Sequence, residues 1–282
     1  MDKAFRTIAL LLVCATVVLL TGRCFSTERA VRVSDGSVIG FDRMIREVKG
    51  AKLVFVGEVH DQKAHHEAQL RTIKALHKAG TPIAIGLEMF TADSQHDLDR
   101  WVAGRMEKER FIRLYYDNWQ MPWPLYGDIL HYARQNRIPL IGLNVPRDVA
   151  QKVSSKGFAA LTRDEKKKLP SGITCDVDAA YTEFIKKAYA QHARNDKSFI
   201  HFCEAQMLWN KTMAWHLARF LEKHPKYTVV VLVGAGHALK RGIPAEVEAI
   251  SGFNCKVILP EMSDMPARAV TGGDADYVLL LK

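Results

Sequence analysis

One short stretch of the chain carries several side chains that can bind a metal ion or move a proton. The apolar run Leu53–Val56 ends at Gly57, and Glu58, His60 and Asp61 follow within four positions. An apolar run rich in β-branched and aromatic residues is typical of a strand buried on both faces. In an open α/β sheet, ligands bind beyond the carboxyl ends of such strands. The stretch therefore predicts a reactive site at a strand end.

A second stretch, near the other end of the chain, repeats this pattern. The run Val229–Val233 is followed by Gly234 and, three residues later, by His237. Both stretches have the form of an apolar strand followed by Gly-x-x-His. We expect the two histidines to meet in one crevice.

Two further apolar runs also end in polar side chains. Glu88 follows one of them and Asn144 follows the other, so a parallel sheet would bring four polar strand ends to one edge. Histidines and carboxylates together could bind a divalent metal ion and leave positions open for water. Without metal, one histidine could act as a general base with a glutamate as its orienter. The candidate catalytic and metal-binding residues are Glu58, His60, Glu88 and His237.

Each of these residues also has a purely structural interpretation. A histidine after a strand is more often a hydrogen-bonded structural residue than a ligand. Glu88 could simply interact with the positive end of the helix that follows it. The grouping of four strand ends, rather than any one residue, favours a site.

The elements that must position these residues form an α/β pattern. A helix over His65–Ala79 lies between the first two predicted strands and predicts that they pair in parallel through a right-handed crossover. An aromatic-rich helical stretch follows the second strand, and a long helix over Phe199–Leu221 precedes the fourth. We expect a mostly parallel central sheet flanked by helices, with a helical elaboration, in a single domain over residues 31–282.

The first 30 residues have the features of an export signal. Lys3 and Arg6 precede the apolar run Ile8–Leu20, which is shorter than a comfortable membrane-spanning helix. Cys24 stands where a bacterial lipoprotein would be lipidated, although Arg23 is larger than the residue usual before that cysteine. The segment is a lipoprotein signal, a cleaved signal peptide or an uncleaved membrane anchor. We expect a location in the bacterial cell envelope, in the periplasm or at the outer membrane.

Charge and cysteine content add two constraints. The formal net charge is +9, which suits an anionic partner, but no nucleic-acid-binding motif accompanies it, so we expect no nucleic acid partner.

Outside the signal region the cysteines are Cys175, Cys203 and Cys255. They leave room for one disulfide in an exported protein, and the sequence does not say which pair forms it.

Aromatic residues cluster in the middle of the chain. Trp123 and Tyr126 lie close together in sequence, and Trp209 lies on the long helix. Such residues are most often core. They could also form a pocket for a flat apolar ligand such as haem, for which tyrosine is an established iron ligand.

Several motifs together resemble the ChaN-like haem-binding lipoproteins, a family related to the TIKI/TraB and erythromycin-esterase-like groups. The resemblance runs from about residue 40 to residue 260. Its motifs are Gly57-Glu58-Val59-His60-Asp61 with His65-His66, Gly86-Leu87-Glu88-Met89, Leu143-Asn144, Ala205-Gln206-x-x-Trp209-x-x-x-Met213-Ala214 and Gly234-x-Gly236-His237 with Gly242-Ile243-Pro244.

This resemblance implies an exported haem-binding protein of haem or iron uptake, with haem held by a tyrosine, at the interface of a homodimer. Tyr126 is the first candidate for the iron ligand and Tyr181 the second. Lys240 and Arg241 could pair with haem propionates or lie on the surface.

The related groups imply an alternative, a metal-dependent hydrolase that uses the two Gly-x-x-His motifs with Glu58 and Glu88. Asn210 stands where the family usually has aspartate, which removes one carboxylate from the expected crevice.

Overall fold

A computed structural model describes residues 28–192, 198–263 and 265–281. Eight strands form one sheet in the order β2-β1-β8-β7-β3-β6-β4-β5. The strands are β1 Arg29–Arg32, β2 Val38–Gly40, β3 Leu53–Glu58, β4 Ile83–Thr91, β5 Leu140–Asn144, β6 Thr228–Gly234, β7 Cys255–Pro260 and β8 Tyr277–Leu280.

The sheet is mostly parallel, as predicted. Every pairing from β8 across to β5 is parallel, and only β1 pairs antiparallel, with β2 and β8. One predicted pairing is wrong: β3 and β4 are not neighbours, because β6 lies between them and pairs with both. The helix that joins β3 to β4 therefore crosses over an intervening strand that the chain supplies about 140 residues later.

Helices cover both faces of the sheet and fill the predicted elaboration. They are α1 Phe41–Val48, α2 Lys63–Lys78, α3 Gln95–Val102, α4 Lys108–Asn118, α5 Trp123–Gln135, α6 Arg147–Lys156, α7 Arg163–Lys167, α8 Ala179–His192, α9 Phe199–Lys223, α10 Ala235–Ala238 and α11 Ile243–Ser251. The stretch predicted as one helical region after β4 is divided into α3 and α4, with Gly104 in the left-handed region just after α3.

The strands form two cores because their side chains alternate between the faces. Val54 and Val56 of β3 belong to the core packed under α1, α2 and α5, whereas Leu53 and Phe55 belong to the core under α9 and α11. Each apolar side chain removed from water in this way contributes about 1.5–3 kcal/mol. This two-sided burial explains why the central strands read as continuous apolar runs, and it leaves their carboxyl ends as the place where polar side chains can emerge.

The predicted signal segment falls almost entirely outside the described residues, so its interpretation stays a prediction. None of the helices in the described part of the chain is long and apolar enough to cross a membrane. Cys175 and Cys203 form a disulfide with Cα atoms 5.4 Å apart, and Cys255 is free. The disulfide fastens the loop before α8 to the first turns of α9.

Candidate functional site

The ends of four neighbouring strands bring the predicted site residues to one edge of the sheet. In the register of β3 with β6, Glu58 lies opposite Gly234, so the two Gly-x-x-His stretches are adjacent. Glu88 and Asn144 stand on β4 and β5, the next two strands along. Strand pairing thus brings together groups that lie up to about 180 residues apart in sequence.

A buried carboxylate, Glu58, is the centre of the site. One of its oxygens, Oε1, accepts hydrogen bonds from the hydroxyl of Tyr126 at 2.5 Å and from Nδ1 of His60 at 2.7 Å. The other oxygen accepts from Nε2 of Gln69 at 2.7 Å and lies 3.2 Å from Nδ1 of His66. Three hydrogen-bond donors and the adjacent ring of His66, whose Nδ1 is also hydrogen-bonded to Oε1 of Gln69 at 3.2 Å, satisfy a carboxylate that is only 2% exposed.

These donors also fix the charge of the cluster. Burial would raise the pKa of the Glu58 carboxyl, but the hydrogen bonds and charges of His60 and His66 outweigh it and hold that pKa well below its ordinary value. Burial would likewise lower the pKa of His66, but the hydrogen bond and charge of Glu58 raise it. His66 also donates from Nε2 to the carbonyl of His60 at 3.0 Å. Both its ring nitrogens therefore face acceptors, as an imidazolium needs.

The adjacent His65 has a different, structural role. Its Nδ1 accepts a hydrogen bond from the backbone N–H of Val59 at 2.9 Å. Burial lowers the pKa of His65, and the neighbouring His66 lowers it further. His65 is therefore a neutral acceptor that fixes the turn after β3.

His60 is the member of the cluster that reaches the solvent side of the site. Its side chain is 33% exposed, and its ring meets Trp119 edge-on with centroids 5.1 Å apart. Burial opposes the charge of His60, but Glu58 and Glu88 raise its pKa to about 9. Glycine at position 234 leaves room for the ring of His60, because a Cβ atom on residue 234 would lie 3.2 Å from Cε1 of His60.

The second glutamate, Glu88, holds the ends of three strands together. Its Oε2 accepts the backbone N–H of Gly234 at 2.6 Å, and its backbone carbonyl accepts from Nδ2 of Asn144 at 2.7 Å. Its remaining oxygen, Oε1, lies 4.0 Å from Nε2 of His237. Glu88 thus links β4 to β6 and to β5 rather than capping a helix.

His237 lies in the first turn after β6, and its ring is oriented by a hydrogen bond to Asn210. Its Nδ1 donates to Oδ1 of the fully buried Asn210 at 2.7 Å, and Nδ2 of Asn210 donates to the hydroxyl of Tyr181 at 2.8 Å. Burial lowers the pKa of His237, so the ring is neutral. With its proton on Nδ1, the ring keeps a lone pair on Nε2.

The predicted divalent metal site at these residues is not supported. Within residues 28–192, 198–263 and 265–281, no group of three or more histidine, cysteine, aspartate or glutamate side chains converges as metal ligands do. The geometry explains this outcome, because both oxygens of Glu58 accept hydrogen bonds from protein donors and one oxygen of Glu88 accepts the backbone N–H of Gly234. The carboxylates form hydrogen bonds within the protein instead of converging on a common metal position.

Two adjoining cavities open at this edge. One, of about 550 Å³, lies between the segment that joins α4 to α5 and the start of α6. The other, of about 570 Å³, lies toward α8 and α10. Both volumes fall in the usual range of small-molecule pockets, about 300–1,000 Å³. The two cavities share the lining residues His60, Trp119, Asn144 and Trp209.

The predicted tyrosines and Trp123 lie behind the cavities, not in them. Tyr126 is completely buried, with its hydroxyl on Glu58, and Tyr181 is 2% exposed, with its hydroxyl bound by Asn210. Trp123 is partly buried and packs edge-on against Tyr115 at the edge of the apolar core. In this arrangement neither tyrosine presents an oxygen to a ligand.

The predicted propionate partners lie elsewhere. Lys240 is paired with Asp276 at 3.0 Å, and Arg241 is paired with Asp178 at 3.0 Å. Together with Tyr181 they line a third cavity of about 360 Å³. This placement does not support a contact between these two cations and a ligand at the strand ends, whereas Trp209 does line both cavities there.

Sequence reasoning missed two participants, Gln69 and Arg147, whereas His66 already stood in the His65-His66 motif. His66 and Gln69, three residues apart on one face of α2, complete the shell of Glu58. Their spacing was a usable signal, because residues at i and i+3 share a helix face. Arg147, an exposed guanidinium in the first turn of α6, lines the first cavity. No local pattern in the sequence marked it.

Fold and site together define an α/β protein with a small-molecule pocket at the carboxyl edge of its sheet. The chain belongs to the family described as haem-binding uptake, Tiki superfamily, ChaN, whose model matches residues 44–247. This confirms the resemblance seen in the motifs. Haem binding is therefore supported for this chain at the level of its family.

Solved structures agree with this assignment. A structure of cofacial haem binding to ChaN of Campylobacter jejuni superposes with a TM-score of 0.72 at 19% identity, covering 90% of this chain and 97% of the other. A mutant erythromycin esterase, EreC, in its open conformation gives 0.51 at 13% identity, covering 86% and 78%. The type III effector HopBA1 gives 0.50 at 14% identity, covering 83% and 89%. At such identities the likeness shows a shared fold.

One curated relative is a much longer protein that matches this chain over only part of its length. Protein RETICULATA-RELATED 5, chloroplastic, of Arabidopsis thaliana is 26% identical over 151 residues, which is 48% of this chain. The match spans only 20% of the length of that relative.

Proposed function

We propose that the chain is a haem-binding protein of the bacterial cell envelope, serving haem or iron uptake, and that haem lies in the cavity between α4–α5 and α6. Family membership supports the ligand. The observation that carries its location is the pair of adjoining cavities whose shared wall includes two indoles, Trp119 and Trp209. Flat aromatic walls suit a flat apolar macrocycle.

The first cavity has the other features that haem requires. Met89 and Met121 add adaptable apolar surface to its walls. Arg147 supplies a cation at the rim, and it stands in the first turn of α6, where backbone N–H groups also favour an anion. A haem carboxylate at this rim would meet a guanidinium, which binds carboxylates in a fixed two-pronged geometry.

The iron ligand is the part of the proposal that demands a rearrangement. For Tyr126 to bind iron it must leave Glu58, and burial together with Glu58 raises the pKa of its hydroxyl, which opposes the phenolate form. Burial raises the pKa of Tyr181 to about 12, although the amide of Asn210, which donates to its hydroxyl oxygen, acts in the opposite direction. Tyr116 is the exposed alternative: it is 48% exposed on α4, and the residues that directly follow it line the first cavity.

Titration of the purified mature chain with haemin, followed by the Soret band, tests the proposal. We expect saturable binding with a stoichiometry of at least one haem per chain. Replacing Trp119 by alanine should weaken binding, and the matched Trp215→Ala variant, on the far part of α9, should not. Absence of saturable binding in the unmodified chain would refute the proposal.

The ligand is identified by three single substitutions, Tyr126→Phe, Tyr181→Phe and Tyr116→Phe. Each removes one hydroxyl and keeps the ring. The ligand variant loses the visible spectrum of tyrosinate-bound haem, while the other two keep it. Retention of that spectrum in all three would exclude tyrosine ligation by these residues.

Dimer formation and export are separate parts of the proposal. Light scattering with and without haemin measures the expected homodimer, and an unchanged monomer mass at saturation would argue against it. The Cys175–Cys203 disulfide supports export, because disulfides persist in oxidising compartments. Membrane fractionation of the full chain and of a Cys24→Ser variant tests the lipid anchor, which predicts that only the variant becomes soluble.

A further inference from the structure

A separate cavity lies at the carboxyl ends of α3 and α5, and its lining is cationic. Its volume is about 400 Å³, and it shares no residue with the two cavities at the strand ends. The residues that line it belong to the last turns of these two helices or directly follow them: Val102, Gly104, His131, Arg134, Gln135 and Arg137. Within the described part of the chain this lining contains no aspartate or glutamate, so two guanidiniums and an imidazole face the cavity without a counter-ion.

Both guanidiniums are held in place and keep donors free. Arg134 donates from Nη1 to the carbonyl of Met106 at 2.9 Å, and its Cζ lies 4.2 Å from the ring centroid of Trp101. Arg137 donates from Nη1 to the carbonyl of Ala103 at 3.0 Å. Among the described residues neither guanidinium has a carboxylate oxygen within 4.0 Å. A guanidinium carries five N–H donors, so most of them remain for a ligand.

The imidazole of His131 adds a neutral donor. Its ring centroid lies 5.5 Å from that of Trp101, and no described residue forms a hydrogen bond with either of its ring nitrogens. Burial lowers the pKa of His131, and the charges of Lys108 and Arg134 lower it further, against the opposing charge of Asp128. The ring is therefore neutral at neutral pH, with one N–H to donate. The cations that act on this ring would also act on an anion in the cavity.

The backbone of Arg137 is unusual. Its φ angle is 54°, in the left-handed region, and no other residue with a side chain has a positive φ in the part of the chain that the structure describes. Glycine or asparagine usually stands at such a position after a helix, because the left-handed conformation is unfavourable for residues with a Cβ. A basic side chain that binds the last carbonyls of a helix is a common structural arrangement. It does not by itself explain why arginine stands where glycine would be favoured.

We propose that this cavity binds the phosphate group of a phosphomonoester, held by Arg134, Arg137 and His131. A planar guanidinium binds phosphate through two parallel N–H bonds, and a phosphomonoester presents three acceptor oxygens for the three side chains to share. The cavity volume falls in the usual range of small-molecule pockets, about 300–1,000 Å³, and Val102 offers apolar contact to the rest of the ligand. The site is independent of haem binding, since its residues line neither cavity at the strand ends.

Calorimetric titration of the full chain in a phosphate-free, low-salt buffer tests the proposal and the source of the phosphate. Glycerol 3-phosphate represents a soluble ester, and the water-soluble dihexanoyl phosphatidic acid represents a lipid headgroup. Saturable binding of both supports a site for any phosphomonoester, and binding of phosphatidic acid alone supports a lipid ligand. Binding of neither would overturn the proposal.

Substitution of Arg134 tests the location. Arg134→Gln should weaken the binding about tenfold or more, the size of one charge-assisted hydrogen bond. Arg113→Gln is the matched control, because Arg113 is an exposed cation of α4 that lines none of the cavities described and its loss changes the net charge equally. Equal losses in the two variants would show a general effect of charge and would refute the site.

Arg137→Gly separates phosphate binding from a structural role. Glycine removes the guanidinium and relieves the left-handed backbone, so the variant should bind phosphomonoesters more weakly while its Tm stays the same or rises. A purely structural role predicts the opposite pair of results, a lower Tm and unchanged binding.

Binding should also have a spectroscopic signature at His131. A phosphate dianion favours the charged imidazole, so the pKa of His131, followed by NMR of its ring protons, should rise when the ligand saturates the chain. An unchanged pKa of His131 at saturation would place the ligand elsewhere and contradict the proposal.

Discussion

Replacement of Glu58 by glutamine tests the centre of the site. The side chain keeps its size but loses its charge, and one of its two oxygens becomes an amide donor. His60 and Tyr126 donate to one oxygen while Gln69 and His66 face the other, so any orientation of the new amide sets a donor against a donor. His66 is only 2% exposed and loses the counter-charge for its imidazolium.

The magnitude follows from this geometry. Removing one partner of a buried, hydrogen-bonded ion pair costs about 3–5 kcal/mol, because the other charge stays buried without compensation. We therefore expect Glu58→Gln to lower the free energy of unfolding, measured by urea denaturation, by about 3–5 kcal/mol. The loss is a large share of the 5–15 kcal/mol typical of a native domain.

Glu47→Gln is the matched control. Glu47 also contacts several partners, Arg32, Arg43 and Tyr277, but its side chain is 29% exposed. Ion pairs that water reaches contribute about 0–1 kcal/mol. If Glu58→Gln cost no more than Glu47→Gln, the buried network would contribute little, and our account of Glu58 as the centre of the site would be wrong.

The cost of Glu58→Gln should also depend on pH in a definite direction. Glu58 and Glu88 raise the pKa of His60 from 6.5 to about 9 against the opposing effect of burial. The stabilisation from a raised pKa is complete below pH 6.5 and is lost as pH rises through about 9. We expect the difference between the variant and the unmodified chain to be largest near about pH 6 and to shrink toward about pH 10. A difference that grew with pH would contradict this electrostatic account.

Three further predictions concern other parts of the chain. Gly234→Ala places a methyl group 3.2 Å from the ring of His60 and should lower the free energy of unfolding by about 1–3 kcal/mol, whereas Gly272→Ala, with no atom within 4 Å, should change it by less than about 0.5 kcal/mol. Reduction of the Cys175–Cys203 disulfide, which closes a loop with a sequence separation of 28, should cost about 3–4 kcal/mol in denaturant titrations, and an unchanged midpoint would contradict this. Arg147→Gln should weaken haemin binding about fivefold, or about 1 kcal/mol, but leave binding of the haemin dimethyl ester unaltered; equal losses for both ligands would exclude a carboxylate contact.

The strands and their common edge could be predicted from the sequence because a strand that is buried on both faces has apolar residues at successive positions. Glu58 and Asn144 end β3 and β5 as predicted, and His237 follows the end of β6 by three residues, but β4 continues past Glu88 to Thr91. The order of the strands could not be predicted in the same way. A run of valines does not specify its neighbours, so the insertion of β6 between β3 and β4 left no local signal.

The chemistry of the site was only partly accessible from residue types. Glutamate and histidine at strand ends suggested metal ligands, but whether a carboxylate oxygen is free depends on donors from distant elements. Tyr126, predicted as an iron ligand, reaches Glu58 across 68 residues of sequence, and this contact makes its hydroxyl part of a buried network. Likewise Asn210, which first counted as a missing carboxylate, orients His237 through its amide oxygen.

The antiparallel edge of the sheet has a consequence for the order of assembly. Arg29 of β1 pairs on one side with Gly40 of the nearby β2, but its partner on the other side is Leu280 of β8, the last described strand. Contacts over such sequence distances carry a high loop-closure entropy and slow the folding of a chain. Synthesis runs from the amino end, and the central parallel pairs of β3 also wait for β6 and β7. The sheet therefore cannot be completed until β8 has left the ribosome, and until then the edges of its partner strands, β1 and β7, stay unpaired on that side.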